Sequence, residues 1–432
     1  MTVAGQSELN SYSAAVEFLE SLQIMPKTMP GLQKIQRALE TTSWFKSLDP
    51  GKIVVVAGTN GKGTTCAALE ALLLEAGQSV GFYSSPHLVS TTERIRFNSL
   101  QISEENFLKL FNQCFSVIKS CELSHFEALT FMAAEYYFGK SWNLNPDFVI
   151  FEVGLGGTYD ATNAFPHKYS VITKLGLDHT QILGPTLPEV AKNKFGIVTK
   201  KGIVVHHELA PELMALMQDV KKQTNSNWIE TDKAKLSVKP SVKGPIYFME
   251  YMGLKFEINV PGLRAAENIM NAIACYHAMG FVLEGHEQAL KKIKWQGRMQ
   301  KLELQDWKCP IYLSGDHNLQ GVESLLDILR DHQWKNLHLV VGIGADKDSE
   351  MMFKQLLTIP GVKLYLTETP FKGRKVTDYS AEVLAAATAK SADPFEVLDV
   401  VKANAIAGDL CVVTGSLYLV GEVLKKWNIT ST

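Results

Sequence analysis

The sequence predicts an α/β protein with two domains: a large N-terminal domain built on a mostly parallel, doubly wound sheet, and a smaller C-terminal α/β domain. Three observations lead to this fold class. Short apolar runs alternate with helical patterns in both parts of the chain, which is typical of parallel βαβ units. The stretch from residue 227 to 260 is β-rich instead and predicts a small hairpin region. A charged segment with a central glycine, KKIKWQGRMQKLELQ, separates the two alternating parts.

The N-terminal domain is predicted to begin with an amphipathic helix, SAAVEFLESLQIM, and a buried strand in the apolar run KIVVVAG. The next predicted elements are a helix over KGTTCAALEALLLEAG, a strand in SVGFYSS, helices over about Glu104–Lys119 and His125–Lys140, and strands in DFVIFEVG, YSVITKLG and KGIVVH. Near-continuous apolar strands of this kind are expected in a sheet that is covered on both faces.

The hairpin is predicted within IYFMEYMGLKFEINV, around Gly253, and a helix is predicted from about Ala265 to Met279. The domain boundary is predicted near Lys294 to Gly297, which gives domains of residues 1–296 and 297–432. In the second domain the predicted strands are PIYLSG, LHLVVGIG, VKLYLTE and DLCVVTGS, with helical stretches between them.

Composition narrows the class of function. The 432 residues are 46% hydrophobic and carry a formal net charge of -2, so the chain offers a large core and no basic surface for nucleic acid. The first residues, MTVAGQSELN, lack the features of a signal peptide, and the chain has no run of 18 apolar residues. The six cysteines form no C-x-x-C pair, which favours free thiols in the cytoplasm. We therefore expect a cytoplasmic protein that binds small molecules and contacts neither nucleic acid nor membrane.

The stretch AGTNGKGTT, residues 57–65, lies where a strand is predicted to end and a helix to begin. Its glycines allow the backbone to approach a phosphate, and the helix N-terminus presents N–H groups to the anion. Lys62 would add a positive charge, and a following threonine a hydroxyl. The spacing departs from G-x-x-x-x-G-K-[ST], because Val56 holds the first glycine position and Gly63 follows the lysine. A plain glycine-rich turn is the alternative to phosphate binding.

Polar residues also follow other predicted strands. Ser85 comes after one strand, Glu152 ends another, and His179 follows a third. Ligands of open α/β sheets bind at the carboxyl ends of the strands, and a carboxylate there is a suitable Mg²⁺ ligand. These residues are therefore expected to converge with Lys62. The alternative is that Glu152 and His179 have structural roles only.

Five successive motifs resemble those of one family in their order and spacing: GTNGKGTT, YSSPHLVSTTERIR, FEVGLGGTYDATN, LDHTQILG and KNKFGIV. They are similar to the folylpolyglutamate synthase / dihydrofolate synthase family, a branch of the Mur ligases, whose loop is written G-T-N-G-K-G-[ST]. Further on, NIMNAIACYHAMG, WQGRMQ, SGDHNLQG, GIGADKD and TGS look like its later motifs. The resemblance implies a P-loop ATPase-type N-terminal domain and a Rossmann-like C-terminal domain.

The resemblance also implies a reaction. Members of this family use ATP and one or two Mg²⁺ ions to join L-glutamate to the carboxylate of dihydropteroate, of folates, or of both. ATP first converts the carboxylate into an acyl phosphate, and the amine of glutamate then displaces phosphate. The implied place of this ligase is folate biosynthesis and one-carbon metabolism, and we expect a monomer.

The family's site residues are carried over one position at a time. The ATP loop would consist of Thr59, Asn60, Gly61, Lys62, Gly63 and Thr64. The remaining nucleotide contacts would come from Asn271, Arg298, Ser314 and Asp316. The metal ligands would be Ser85, Glu152 and His179, and the residues implied in catalysis are Lys62, Lys194 and His317. Lys194 would carry a carbamate, an anion that binds Mg²⁺ where a free lysine would repel it; the alternative is an ordinary surface lysine.

Substrate contacts are assigned in the same way. The pterin would be held by Ser124, His125, Phe126, Glu127, Tyr159, Asp160 and Ala161, and Ser416 would be a further substrate contact. The sequences SHFE and TYDA differ from the commonest sequences at these positions in the family.

One motif departs more strongly. The family writes D-[GV]-A-H-N, whereas this chain has SGDHN, with Ser314 at the position of the aspartate and Asp316 directly before His317. We predict that Asp316 partly replaces the missing carboxylate; the alternative is that Ser314 or water fills the site. Two other functions remain open from sequence: a cell-wall Mur ligase that acts on a UDP-muramyl peptide, and an ATP-binding relative that has lost ligation.

Overall fold

The computed structural model describes residues 8–23, 31–241, 244–293 and 295–429. The chain forms two compact units. Unit 1 consists of Met1–Lys233 and Asn268–Ala289, and unit 2 consists of Ala234–Glu267 and Leu290–Thr432. Each unit has its own sheet and its own hydrophobic core.

An eight-stranded sheet of order β4-β3-β2-β5-β1-β6-β7-β8 is the centre of unit 1 in the described part of the chain. Its strands are β1 (Ile53–Ala57), β2 (Val80–Tyr83), β3 (Ile95–Phe97), β4 (Leu100–Gln101), β5 (Phe148–Glu152), β6 (Tyr169–Ile172), β7 (Ile203–His206) and β8 (Asn227–Glu230). The six strands β2-β5-β1-β6-β7-β8, in their order across the sheet, pair in parallel. At the β2 side of the sheet, β3 pairs antiparallel with β2, and β4 pairs antiparallel with β3. The predicted mostly parallel sheet is confirmed, and the antiparallel edge is an addition that the apolar runs do not predict.

The helices of this part of the chain are α1 (Tyr12–Ser21), α2 (Gln33–Glu40), α3 (Lys62–Glu75), α4 (Glu104–Ser120), α5 (His125–Phe138), α6 (Thr180–Leu183), α7 (Leu187–Phe195), α8 (Met214–Thr224) and α9 (Leu263–Ala278). Local sequence explains where several of them begin. Ser124 and Glu127 form a capping box at the start of α5, and Thr186 and Glu189 form another at the start of α7. The side-chain oxygens satisfy backbone N–H groups that the first helical turn leaves without partners.

The central strands of this sheet are buried. Every residue of β1 is buried, and so is every residue of β5 after Phe148. The ring of Phe151, in β5, stacks on the ring of Phe165, with the two centroids 4.5 Å apart. The loops that leave β1 and β5 therefore start from a rigid, close-packed base.

Unit 2 contains two sheets within the described residues. The smaller is antiparallel, of order β11-β10-β9, and the larger has the order β12-β13-β17-β14-β15-β16. The strands are β9 (Lys235–Lys239), β10 (Ile246–Tyr251), β11 (Leu254–Ile258), β12 (Gln300–Leu302), β13 (Ile311–Ser314), β14 (Leu337–Val341), β15 (Val362–Leu366), β16 (Ala387–Lys390) and β17 (Leu410–Thr414). The helices are α10 (Leu319–Arg330), α11 (Ser349–Leu356), α12 (Ala381–Ala386), α13 (Pro394–Asn404) and α14 (Leu417–Lys426).

The predicted hairpin is present as β10 and β11. Tyr251 pairs with Leu254, and the two residues between them, Met252 and Gly253, both have positive φ. A two-residue turn with positive φ at both positions matches the twist of antiparallel strands. β9 pairs with the other side of β10 and extends the hairpin to three strands.

The larger sheet confirms the predicted C-terminal α/β architecture, since β13, β17, β14, β15 and β16 run parallel and only β12 is antiparallel. The compact units divide the chain differently from the predicted boundary at 296/297, because residues 234–267 group with unit 2. That boundary stays a prediction. The last residues of the predicted first helix, Ile24 and Met25, and Lys294 at the predicted boundary lie outside the described residues.

In the part of the chain that the structure describes, no helix is both long enough and apolar enough to span a bilayer.

Candidate active site

The loop between β1 and α3 has a shape that only glycine permits. Gly58 and Gly61 both have positive φ, at 154° and 90°. A Cβ atom on Gly58 would collide with the side chain of Thr173, and one on Gly61 would collide with the side-chain amide of Asn268. The departure from the usual phosphate-loop spacing therefore leaves the essential feature in place, because glycine remains where the backbone turns back toward the helix N-terminus.

Hydrogen bonds from the segment after β6 hold this loop. The Thr59 N–H donates to the carbonyl of Lys174 at 3.1 Å, and the Thr59 hydroxyl donates to the carbonyl of Gly176 at 2.8 Å. The Thr173 hydroxyl donates to the carbonyl of Asn60 at 2.7 Å. The loop is thus fixed before any ligand binds, which lowers the entropy lost on binding.

Two lysines meet at one carbonyl of the loop. The Nζ atoms of Lys62 and Lys194 donate to the oxygen of Gly58 at 3.1 and 2.8 Å. Lys194 lies in α7 and is only 5% exposed, so it is not the surface lysine that the sequence left open. Burial and the charge of Lys62 lower the pKa of Lys194 to about 7, against the opposing effect of Asp178 and Asp160. Close to neutral pH this amine therefore exists partly without its proton.

Glu152 and Ser85 lie together at the same edge of the sheet. Glu152 is the last residue of β5, is 4% exposed, and pairs in register with Val56 of β1. The Ser85 N–H, which follows β2, donates to Oε2 of Glu152 at 3.2 Å. The carboxyl ends of β1, β2 and β5 thus bring the phosphate loop, a carboxylate and a serine to one place, as expected for a ligand site in an open sheet.

His179 is the third predicted metal ligand. It precedes α6 and has the left-handed conformation, with φ of 49°. Its N–H donates to Oδ1 of Asp178 at 2.9 Å. The described residues contain no group of three or more His, Cys, Asp or Glu side chains placed to hold a metal ion. The predicted set contains only two residues of these types, Glu152 and His179, because its third member is Ser85. The predicted metal set therefore stays a prediction.

Most of the predicted pterin residues have local structural partners. Ser124 donates its N–H and its hydroxyl to Oε2 of Glu127 in the capping box. The ring of His125 is bonded through Nδ1 to the carbonyl of Leu19 at 2.8 Å. These groups shape the N-terminus of α5, and a direct contact with substrate remains a prediction for each.

Asp160 organises the loop that follows β5. Its Oδ2 accepts the N–H groups of Gly154 and Leu155, both at 3.0 Å, and its Oδ1 accepts the N–H and hydroxyl of Thr162. Ala161 is buried directly beside it. Within this loop Tyr159 is 45% exposed, so it is the predicted pterin residue that a ligand can reach without displacing an existing contact.

Phe126 offers a second aromatic surface near that loop. Its ring centroid is 5.8 Å from that of Tyr83, and a Cβ on Gly154 would collide with its ring. Unlike its neighbours in α5, it is only half-buried. An aromatic face of this kind suits a flat heterocycle.

The predicted nucleotide residue Asn271 is fully buried, and its Nδ2 donates to Nε2 of His207 at 2.8 Å. One helical turn earlier, Asn268 contacts the loop instead. Its carbonyl accepts the Thr65 hydroxyl at 3.1 Å, and its amide lies against Gly61. Sequence reasoning missed Asn268. The signal was present in AENIMN, where two asparagines three residues apart share one face of a helix.

Polar residues also gather at the carboxyl edge of the larger sheet in unit 2. β13 ends at Ser314, whose hydroxyl donates to Oδ2 of Asp316 at 2.5 Å. Burial raises the pKa of Asp316, while Arg298 and the bond from Ser314 act in the opposite direction. His317 is bonded through Nδ1 to the carbonyl of Gly315 at 2.9 Å. The strand does not continue to Asp316, yet the two side chains meet.

The chain matches the Mur ligase middle domain over residues 56–276 and the Mur ligase, glutamate ligase domain over residues 297–417. It is 30% identical over 392 residues to the dihydrofolate synthase/folylpolyglutamate synthase of Bacillus subtilis, an alignment that covers 86% of this chain and 89% of that protein. The chain belongs to the dihydrofolate synthase/folylpolyglutamate synthase family of Mur ligases.

Solved structures of family members have the same fold. A bifunctional folylpolyglutamate synthase/dihydrofolate synthase with Mn, AMPPNP and L-glutamate bound is 28% identical, with a TM-score of 0.82 and coverage of 98% of this chain and 100% of that one. Escherichia coli FolC in complex with DHPP and ADP is 25% identical, with a TM-score of 0.81 and coverage of 98% and 99%. The fold class and the family expected from the sequence are thereby confirmed.

The predicted site residues fall inside the two family matches. Those from Thr59 to Asn271 lie in the middle-domain match, and those from Arg298 to Ser416 lie in the match to the glutamate ligase domain. Ser416 follows β17 and caps α14, where its Oγ accepts the N–H of Tyr418 at 3.1 Å and lies 3.1 Å from the hydroxyl of Thr369. It is 5% exposed, so its substrate contact remains a prediction.

Proposed function

We propose that this chain uses ATP to ligate L-glutamate to the carboxylate of dihydropteroate, of folates, or of both. The observation that carries the proposal is the glycine loop at the start of α3, where the Nζ of Lys62 lies 3.1 Å from the Gly58 carbonyl and the buried Lys194 approaches the same oxygen. The N–H groups of a helix N-terminus, together with the positive charge of Lys62, favour a polyphosphate. Family members with Mn, AMPPNP and L-glutamate bound, or with ADP and DHPP bound, support the choice of ATP and of a folate-type acceptor.

In this mechanism the loop binds and orients the nucleotide. The N–H groups at the start of α3 hold phosphate oxygens, and Lys62 neutralises charge on the transferred γ-phosphoryl group. The acceptor carboxylate takes that phosphoryl group and ADP leaves. The amine of glutamate then attacks the acyl phosphate, and phosphate is expelled. The chain needs no covalent nucleophile for these steps.

A divalent cation fits the residues at this edge. Glu152 supplies a buried carboxylate, and Ser85, whose N–H contacts that carboxylate, carries a hydroxyl; oxygen ligands of these kinds are the ones that Mg²⁺ takes, and His179 would complete the predicted set. When bound, Mg²⁺ supplies positive charge to the phosphate oxygens. The bond from the Ser85 N–H to Glu152 fixes the carboxylate for this role.

We include a carbamate on Lys194 in the proposal. An amine adds CO₂ only in its neutral form, and burial lowers the pKa of Lys194 to about 7, which makes that form accessible near neutral pH. The ammonium first loses one proton; the neutral amine then attacks CO₂, and a second proton leaves nitrogen as the N–C bond forms and one C–O double bond becomes single. A cation thus becomes an anion with the release of two protons. The carbamate nitrogen would keep one N–H for the Gly58 carbonyl, and its two oxygens would be available as ligands for Mg²⁺ or as acceptors for Lys62.

The pterin is placed against the aromatic surfaces of Phe126 and Tyr159, the predicted contacts that stay partly accessible. In unit 2, Arg298 and Asp316 provide opposite charges for glutamate or nucleotide. We further propose that the protein is a cytoplasmic monomer; all six cysteines are free and buried, which supports a reducing compartment. Light scattering on the purified chain tests the oligomeric state.

Phosphate release tests the proposed function directly. The enzyme is mixed with MgATP and L-glutamate, and with dihydropteroate, tetrahydrofolate or a UDP-muramyl peptide as the acceptor. We expect phosphate release and a glutamylated product with dihydropteroate, tetrahydrofolate or both, and none with the UDP-muramyl peptide. Turnover of the UDP-muramyl peptide alone would place the chain among cell-wall ligases, and nucleotide binding without turnover of any acceptor would identify an inactive relative.

A further inference from the structure

A chain of side-chain hydrogen bonds connects the end of β7 to α9. The Nδ2 of Asn271 and Nε2 of His207 are 2.8 Å apart, and Nδ1 of His207 lies 3.0 Å from the hydroxyl of Thr231. His207 immediately follows β7 at the carboxyl edge of the sheet in unit 1. The mechanism described above does not use this histidine.

The direction of these bonds follows from the protonation state of the ring. Burial and the nearby charge of Lys174 lower the pKa of His207 to about 4, so the ring is neutral at physiological pH. The amide nitrogen of Asn271 can only donate, which requires Nε2 of His207 to be the acceptor. The proton is then on Nδ1 and is donated to Thr231.

Asn271 is held by this bond in the interior of unit 1. It is 0% exposed, and its Oδ1 is buried without a hydrogen-bond partner in the described residues. Such a group costs stability. The bond from Nδ2 to His207 is therefore the polar contact that fixes the orientation of this side chain in the described structure.

The effect of this contact is visible one turn earlier in α9. Asn268 lies on the same helical face as Asn271, accepts the hydroxyl of Thr65 with its carbonyl at 3.1 Å, and places its amide against Gly61. A shift of α9 would therefore alter the shape of the phosphate loop. His207 is the side chain that fastens this face of the helix to the sheet.

We propose that His207 is a positioning residue for nucleotide binding, which acts through Asn271 to hold Asn268 of α9 against the phosphate loop. This inference rests on the proposed function and assigns His207 an effect on ATP affinity, not on phosphoryl transfer. In this role His207 has no direct contact with the substrate or with a phosphate group.

The site also permits a clean test. His207 lines a cavity of about 120 Å³ together with Leu209, Leu213 and Glu208, so an altered side chain has room. His207→Leu removes the acceptor, whereas His207→Gln can present an amide oxygen to Asn271. Glu208→Gln is the matched control, because Glu208 lines the same cavity but is exposed and paired with Lys233.

We expect His207→Leu to raise the KM for ATP and the Kd for AMPPNP about tenfold, the scale of losing one buried hydrogen bond. The kcat should stay within about twofold and the KM for glutamate should not change. His207→Gln should recover most of the affinity, and Glu208→Gln should behave as wild type. Asn271→Leu should cause the same loss, with no added effect in the double variant.

Unchanged ATP affinity in a folded His207→Leu protein, a loss confined to kcat, or additive effects with Asn271→Leu would overturn the inference while the proposed function stands. If the leucine variant does not fold, ¹⁵N-histidine NMR on the wild-type protein decides: the inference requires the Nδ1–H tautomer at His207, and an Nε2–H tautomer overturns it. A wild-type chain that binds no AMPPNP overturns both proposals.

Discussion

The two strand edges that carry predicted site residues are built in different ways. In unit 1 the backbone makes the site: Gly58 and Gly61 take positive φ, and two lysine side chains converge on one carbonyl. In unit 2 side chains make it: Ser314 donates to Asp316, with Arg298 and His317 close by. The first edge is built on backbone N–H groups beside Lys62, and the second is centred on the carboxylate of Asp316.

This difference teaches which changes each edge tolerates. A glycine loop cannot be rebuilt from other residues, because a Cβ at Gly58 or Gly61 would occupy space already filled. A carboxylate can move along the chain as long as its oxygens reach the same partners. The motif SGDHN, which differs from the family's D-[GV]-A-H-N, lies at the second edge, where a carboxylate can change its position in the sequence.

The largest effect is expected from the loop lysine. Lys62→Ala should lower the rate of ligation at least ~100-fold, because it removes a charge that stabilises the transferred phosphoryl group. The rate is measured as phosphate release at saturating substrates. Lys52→Ala is the control, since Lys52 is an exposed lysine just before the other end of β1. Near-normal turnover in a folded Lys62→Ala protein would contradict the assignment of the loop.

Glu152→Gln should cause a loss of similar size, about 100-fold. The glutamine can still accept the Ser85 N–H, so the fold is kept while the charge that would bind Mg²⁺ is lost. Titration of activity with Mn²⁺ should show a raised metal requirement in the variant. An unchanged metal dependence would leave Glu152 as a structural residue.

Lys194→Met separates activity from stability. Activity should fall below about a tenth of wild type, because no carbamate can form. In CO₂-free buffer, where wild-type Lys194 is a free amine, the free energy of unfolding of the variant at pH 7 should equal or exceed that of wild type, because burial disfavours the charged amine and the apolar chain has no charge to bury. The folded pKa of about 7 lies below the unfolded value of 10.5, so the unfolded state binds more protons between these values. The free energy of unfolding of the wild-type protein therefore increases, through this residue, as the pH rises from 7 toward 10.5, and the variant lacks that increase.

The control for this change is Lys192→Met, an exposed position in the same helix. Removal of CO₂ and bicarbonate should lower the activity of the wild-type enzyme. Its recovery should be faster at pH 8 than at pH 6 when the two buffers are equilibrated to the same dissolved CO₂, since the neutral fraction of an amine with a pKa of about 7 differs about tenfold between them. Wild-type activity in Lys194→Met would refute the carbamate.

The smallest effect is expected at the second edge. Asp316→Ala should raise the KM for glutamate or ATP at least ~10-fold, equivalent to about 1.4 kcal/mol, because Arg298 loses its carboxylate neighbour. Ser314→Ala should do much less, since the charge of Asp316 stays in place. The opposite ranking of the two variants, or no effect of either, would show that the carboxylate has not moved to Asp316.

Much of the fold follows from local sequence. The buried strands β1, β5, β14 and β17 are continuous apolar runs, and the hairpin β10–β11 is marked by its glycine turn. The short strands β3 and β4 carry no such signal. They form because β2 offers a free edge for antiparallel pairing, which is a property of the sheet and not of their own residues.

The sequence by itself determined the glycine loop, the family and the reaction to be tested, because glycine conformation and strand-end chemistry depend on neighbouring residues in the chain. Only the tertiary structure decided that Lys194 is buried with a lowered pKa, and that Asn268, not Asn271, lies against the loop. Burial and hydrogen bonds between residues more than 100 positions apart, such as that from the Lys194 side chain to the Gly58 backbone carbonyl, depend on how helices pack on the sheet, and no local pattern encodes that.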